Sequence, residues 1–436
     1  MHKPLQIELP YGRGLQKANV IQKTDVLRTQ RQELPAISGS ELFALLGSSL
    51  KELQLGKVVA IAIPDHTRPN ITRVILPEIV ELLLKNNVHE IRVCVGAGLH
   101  RAPTQNELNE LIPAEVRTHA DVNVVIHDAM DDSKLVFLGY TSFDTPVWIM
   151  RSYYEAETKI ALSVVEAHQF AGFSGGAKAV AVGLAGEKTI SGNHYKLVQP
   201  NAQMGRIQNN PVREEIDEIG NMVGIDLLIN VVLNADGYPS KIFCGAHPTS
   251  HRETCDFLKT FSGVEVEELY DVVIASPGGH PRDIDLYQAQ KALPVAEAFC
   301  KPGGTIILVA ECATGYGEHE YVKLLKEADS PKSLMKNFDF SHFKVGPHKA
   351  YLLARTLSRY EVRMVSALSR SELENLFFIP RDNLEKAMED LPHNARVLAI
   401  SNTSQVIPVK LQEKKSGVSN DEDDSSGEVG RSRQKD

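Results

Sequence analysis

Short β-branched runs alternate with amphipathic helical patterns along most of this chain, and no other feature restricts the fold as strongly. Strand, helix and strand in succession form βαβ units, so the alternation predicts an α/β fold with largely parallel sheets. The first clear run is 58–63. It ends in Pro64-Asp65-His66-Thr67-Arg68-Pro69, after which Ile75, Ile79, Leu82 and Leu83 recur at helical spacing and predict a helix over about 72–85. Runs at 91–95, 122–126 and 159–165 end in Gly96-Ala97-Gly98-Leu99-His100, in His127-Asp128 and in a Gly- and Ala-rich stretch over 166–194. Asn234-Ala235-Asp236-Gly237 reads as a hairpin turn. A second series opens at 271–275 and continues through strands at 305–309 and 362–366 and a helix over about 350–359. Ligands of open α/β sheets collect at the carboxyl ends of strands, so chemistry is expected in the loops that follow these runs.

At 436 residues the chain is too long for one ordinary core. The pattern divides into an N-terminal α/β domain over 1–265 and a C-terminal α/β domain over 270–390, with an active-site cleft between them. The strand at 396–400 is expected to return the chain to the first domain, which would then include about 395–412 as well. Over 413–436 apolar residues nearly vanish, and this tail is expected to be disordered because it has too little to bury. A formal charge of -9 argues against nucleic acid or an anionic membrane as the main partner. The five cysteines form no CxxC pair and read as reduced thiols. Met1-His2-Lys3-Pro4 opens no apolar leader, and no stretch reaches the roughly 18 apolar residues of a membrane helix, so the expected location is cytoplasmic.

The most unusual segment is Gly172-Phe173-Ser174-Gly175-Gly176-Ala177-Lys178. Its glycines could let backbone N–H groups approach a phosphate, or could simply pack a helix tightly on a strand. It is not a Walker A loop, because Ala177 and Ala179 stand where that motif needs Gly and Ser or Thr. His168 and His194 are too far apart for a local metal motif, so residue spacing leaves each as either a ligand or a hydrogen-bonded structural histidine.

The string from His168 to Lys178, followed by Gly183, Gly186 and Asn193-His194, resembles the central motif of the nickel-dependent lactate racemase family of 2-hydroxyacid racemases and epimerases. Asp65-His66-Thr67-Arg68-Pro69, Gly98-Leu99-His100-Arg101 and Asp285-Leu286-Tyr287-Gln288-Ala289-Gln290-Lys291-Ala292 match further motifs in the expected order, and the resemblance spans about 10–410. It implies an isomerase that inverts C2 of a small 2-hydroxyacid substrate by reversible hydride transfer through a 2-ketoacid. It also implies a nickel-pincer nucleotide, pyridinium-3,5-bisthiocarboxylic acid mononucleotide nickel, made by separate cofactor-biosynthesis enzymes and bound in the N-terminal domain. Lys178 matches the lysine covalently attached to that group, and His194 the histidine that ligates Ni. Ser174, Gly175, Gly176, Asp65 and Tyr287 match positions near the cofactor. His100 and His168 match two acid/base residues, and two are needed because opposite enantiomers present their hydroxyls in different directions. Arg68, Gln288 and Lys291 match the residues that hold the substrate carboxylate, which Arg grips with paired hydrogen bonds. Where the lactate enzyme has a tryptophan, this chain has Gly346-Pro347-His348-Lys349-Ala350-Tyr351, which implies a longer or more polar substrate than lactate. A homo-oligomer is compatible with the sequence.

Two rival readings use the same residues. One is a zinc hydrolase with His100, His168 and His194 as ligands. The other is a non-catalytic nucleotide-binding protein whose histidines are structural.

Overall fold

The computed structural model describes residues 4–27, 34–339 and 346–410; the tail expected over 413–436 lies outside them. The fold is mixed α/β and is built on two six-stranded sheets among the described residues. In the first sheet the order is Pro239–Gly245, Leu227–Leu233, Thr158–Val164, Val58–Pro64, Glu90–Gly96 and Val122–Ile126. Its pairs are parallel, apart from the edge hairpin that joins 227–233 to 239–245. The turn of that hairpin is held by the Asn234 side chain, which accepts from the N–H groups of Asp236 and Tyr238 at 3.1 and 3.0 Å.

Helices on both faces bury the first sheet. The central strand Val58–Pro64 turns Val59, Ile61 and Ile63 toward the helices Gly39–Lys51 and Thr72–Lys85. Its small residues Ala60 and Ala62 face Lys178–Ala181 and Pro211–Val223, where their size lets the Gly-rich segment come close. Such a doubly covered strand reads as a continuous apolar run, and this is why its sequence was plain.

The second sheet runs Ile379–Arg381, Glu361–Val365, Cys300–Val309, Tyr270–Ala275, Arg396–Ile400 and Lys23–Leu27, and it is parallel throughout. The strand 396–400 therefore does not return to the first sheet, as the sequence reading expected. It enters from the helix Leu384–Met388 and pairs beside Tyr270–Ala275, and its other neighbour is Lys23–Leu27 from the start of the chain. The antiparallel hairpin Leu5–Tyr11 with Gly14–Val20 also belongs here, packing Ile7, Leu9, Ala18 and Val20 on Val272, Ile274, Ile307 and Val309.

Each sheet has one place where strand order reverses. In the first it falls between Val58–Pro64 and Thr158–Val164, and in the second between Tyr270–Ala275 and Arg396–Ile400. A crevice opens at such a point because the chains leaving the two strands diverge.

Candidate active site

Asp65 and Arg68 follow the strand Val58–Pro64, His100 follows Glu90–Gly96, and His168 and Lys178 follow Thr158–Val164. Five of the residues singled out in the sequence therefore leave three adjacent strand ends around one reversal point. Asp65 is buried, with one carboxylate oxygen accepting from the N–H and hydroxyl of Thr67 at 3.2 and 2.7 Å. Its other oxygen lies 2.6 Å from His100 Nδ1. Burial pushes the Asp65 pKa up, but the bonds from His100 and Thr67 outweigh it and hold the carboxyl below its usual range. An ionised carboxylate only accepts, so Nδ1 of His100 carries hydrogen and a neutral His100 ring leaves its lone pair on Nε2. Gly98, at φ +55°, makes the turn that brings His100 back, and a Cβ there would stand 3.1 Å from the Val182 carbonyl oxygen.

His168 is held in the opposite state. It sits in a small hairpin, Ala167–His168 against Gly172–Phe173, and its Nδ1 accepts the Ala171 N–H at 3.2 Å. A backbone N–H can only donate, so the proton of the neutral ring is on Nε2. Burial first, then the charge of Lys178, pushes the His168 pKa well down and keeps the ring neutral.

Lys178 opens a short helix behind the Gly-rich segment. Burial, then the guanidinium groups of Arg68 and Arg213, lower its pKa to about 7. The segment itself is packed rather than open. Ser174 donates its N–H to the Glu166 carbonyl at 2.8 Å, its hydroxyl accepts the Glu166 N–H at 2.9 Å, and the Gly176 N–H goes to Asn230 at 3.0 Å. Those N–H groups are not open to a phosphate, so the tight-packing alternative describes Ser174 and Gly176. A Cβ on Gly172 would fall 2.0 Å from the Arg206 carbonyl oxygen, on Gly175 2.5 Å from Val165, and on Gly176 2.7 Å from the His251 ring. Beneath the loop, the fully buried Arg213 donates to the carbonyls of Ala171, Phe173 and Gly175. Sequence reasoning missed Arg213, which looks like one more polar position on an amphipathic helix.

His194 lies in the helix Glu187–Tyr195, buried, with Nδ1 lacking any hydrogen-bond partner among the described residues. Burial and Lys178 hold its ring neutral. Phe170 wedges between the histidines, its ring centroid 4.6 Å from His168, 5.1 Å from His194 and 5.9 Å from His348 of the second half. The two halves thus meet at the site. From the second half come Tyr287, Gln288 and Lys291, on short helical turns after an N-cap at Asp285. Lys291 donates to the Gln288 side chain, which fixes the pair together. Lys291 is solvent-exposed, and desolvation at the cleft wall followed by Arg68 lowers its pKa, an effect that water at the open end dilutes. The ring of Tyr287 lies under the ammonium of Lys349, 3.4 Å from its centroid.

No three His, Cys, Asp or Glu side chains gather as a metal-holding group among the described residues. A zinc centre of His100, His168 and His194 is therefore not assembled, and Asp65 instead claims Nδ1 of His100.

This fold places the chain in the class of α/β proteins whose candidate residues gather at the reversal point of a largely parallel sheet. Profiles of the lactate racemase N-terminal and C-terminal domains match residues 11–205 and 266–408. The chain is 30% identical over 348 residues to a lactate racemase of Thermoanaerobacterium thermosaccharolyticum, covering 78% of this chain and 81% of that protein. It is 33% identical, at the same coverage, to a lactate racemase of Lactiplantibacillus plantarum. The structure of the Thermoanaerobacterium lactate racemase apoprotein superposes with a TM-score of 0.85 at 25% identity, over 93% of this chain and all of the other. A Thermotoga maritima protein shares the fold at a TM-score of 0.68 and 15% identity, over 86% of this chain and 99% of that one. The chain belongs to the lactate racemase family, and it is an isomerase, a racemase. Among the described residues, no helix is long and apolar enough to cross a membrane.

Proposed function

We propose that the protein inverts C2 of a 2-hydroxyacid with the help of a nickel-pincer nucleotide. The observation that carries this reading is the pair of imidazoles held in opposite hydrogen-bonding states beside a guanidinium and two lysines. Two residues fit the cofactor that the family implies. With a pKa of about 7, much of Lys178 is unprotonated at neutrality, and the free amine is the form that can be joined to a carbonyl or thiocarbonyl carbon. His194 offers a buried neutral imidazole with an orphaned nitrogen, a donor that Ni(II) accepts alongside sulfur. When bound, the pincer nucleotide supplies an acceptor for the C2 hydride and returns it, so C2–H need not ionise as a proton. Separate cofactor-biosynthesis enzymes would supply it.

The chain's own residues then have distinct tasks. Arg68 and Lys291 hold the substrate carboxylate, and Gln288 keeps Lys291 in place. Nε2 of His100 takes the hydroxyl proton, and Asp65 stabilises the imidazolium that results. For the configuration at C2 to invert, a 2-ketoacid held by Arg68 and Lys291 would have to turn its other face within the site. For His168 to protonate the C2 oxygen in its alternative position from Nε2, it must first give up the Ala171 N–H and take a proton from solvent on Nδ1, so that a neutral ring is left after the transfer. To accept a proton from the opposite enantiomer, His168 must give up the Ala171 N–H and move its own proton to Nδ1. Arg68, His100 and Lys291 all reach solvent here, so the cleft must close to exclude water.

The test uses protein produced together with the cofactor-building enzymes and a hydroxyacid deuterated at C2. Racemisation with a primary isotope effect and retention of the label in H2O is the expected result. Loss of deuterium in step with racemisation would overturn the hydride route.

A further inference from the structure

The cleft holds one more cation than a monocarboxylate needs. Lys349 is the second residue of the helix His348–Leu357, only 8% exposed, and its ammonium donates to the Tyr287 carbonyl at 3.1 Å. It makes no ion pair among the described residues. The carboxylates with the largest influence on it, Asp285 and Glu318, are occupied in capping: Asp285 accepts the Gln288 N–H at 2.7 Å, and Glu318 those of Glu320 and Tyr321 at 2.9 and 2.6 Å. The charges that act on it most strongly are the like charges of Lys291 and Arg68, the two residues assigned to the substrate carboxylate.

A lysine in the first turn of a helix also opposes the helix dipole. Burial, two neighbouring cations and the dipole all disfavour its charged form, and the Tyr287 carbonyl and ring, with Asp285 and Glu318 farther off, offset this without supplying a counter-charge in contact with it. The buried ammonium thus has a carbonyl and a ring face but no ion pair among the described residues, and an anion entering beside Tyr287 would supply one.

Resting on the racemase reading above, we infer that the substrate is a 2-hydroxyacid with a second anionic terminus, a carboxylate or a phosphate ester, and that Lys349 receives that terminus while Arg68 and Lys291 hold the first. Lys349 is then a specificity-determining residue, and a lactate-sized substrate leaves it unsatisfied.

Calorimetric titration of the apoprotein tests this without dependence on turnover. The probes are lactate, malate, 2-hydroxyglutarate and 3-phosphoglycerate, with nicotinic acid mononucleotide as a phosphate-bearing control. At least one dianion should bind about tenfold or more tightly than lactate, roughly the worth of one charge-assisted hydrogen bond. Whether malate and 2-hydroxyglutarate or 3-phosphoglycerate shows the gain tells carboxylate from phosphate. In Lys349→Gln, which still donates to the Tyr287 carbonyl, the preference for the dianion should collapse to near unity. Equal binding of lactate and all three dianions by the wild type overturns the proposal, whatever the variant does. So does a Lys349→Gln variant that loses mononucleotide binding while keeping the dianion preference, since the lysine would then serve the nucleotide phosphate. Turnover of the same panel by loaded enzyme separates the two readings. Racemisation of lactate with exclusion of the dianions sinks this inference alone, whereas no turnover of any 2-hydroxyacid sinks the racemase reading beneath it.

Discussion

Lys178 shows how much of this site is made by environment rather than by residue type. Its amine is brought to about 7 by burial and by Arg68 and Arg213, and those guanidiniums stand 110 and 35 residues away in the chain. A lowered lysine pKa means that the reactive free base grows in as pH rises through about 7 and then levels off. An amine-directed reagent applied to the apoprotein should therefore label Lys178 with a midpoint near pH 7, read by peptide mass. A midpoint in the ordinary lysine range would remove the chemical basis for attachment there. Asp65 carries a second expectation. In Asp65→Asn the charge that stabilises imidazolium at His100 is gone, so kcat/KM of the loaded enzyme should fall about tenfold to a hundredfold, mainly through kcat. An unchanged kcat would show that the 2.6 Å contact has no part in proton transfer. The sequence motif brought Asp65 forward as a neighbour of the cofactor. That its partner would be His100 was not legible, because the two lie 35 residues apart and meet only where adjacent parallel strands end.

Among the elements, the segment from His168 to Lys178 owes its shape to contacts beneath it. Gly172, Gly175 and Gly176 all have positive φ, and each is pressed against another part of the chain. Gly172→Ala should destabilise the protein by about 3 kcal/mol, combining left-handed backbone strain with a clash at the Arg206 carbonyl. Arg213→Leu should cost about 3 kcal/mol or more, because three buried carbonyls lose their donor. Urea midpoints measure both, and a shift below about 1 kcal/mol in either would show that the loop can be held another way. The glycines were visible in the sequence as an anomaly, but their cause was not. The same composition fits a phosphate cradle or a packed turn, and only the N–H partners of Ser174 and Gly176 distinguish them. The helix at 72–85 and the strand at 122–126 were legible because local apolar spacing alone specifies them.

The whole molecule joins its ends in a way that local pattern does not reveal. The first described strands lie on the second sheet, with Ile7, Leu9, Ala18 and Val20 covering Val272 and Ile274, and Lys23–Leu27 forming the sheet edge. Deleting residues 1–27 should expose that apolar face and lower the melting temperature by several degrees, with unfolding that begins in the second half. A calorimetric trace identical to the full chain would show the hairpin to be dispensable. The sequence by itself determined the α/β class and the runs of buried strand, because each depends on composition and spacing within a short window, whereas the candidate site residues were put forward by the resemblance of their motifs to a family. Tertiary structure alone decided that 396–400 pairs with Tyr270–Ala275 and Lys23–Leu27, that His100 meets Asp65, and that Lys349 packs on Tyr287. The physical reason is that pairing, desolvation and charge act through space between segments from 35 residues apart, as for Asp65 and His100, to opposite ends of the described chain, as for Lys23–Leu27 and 396–400.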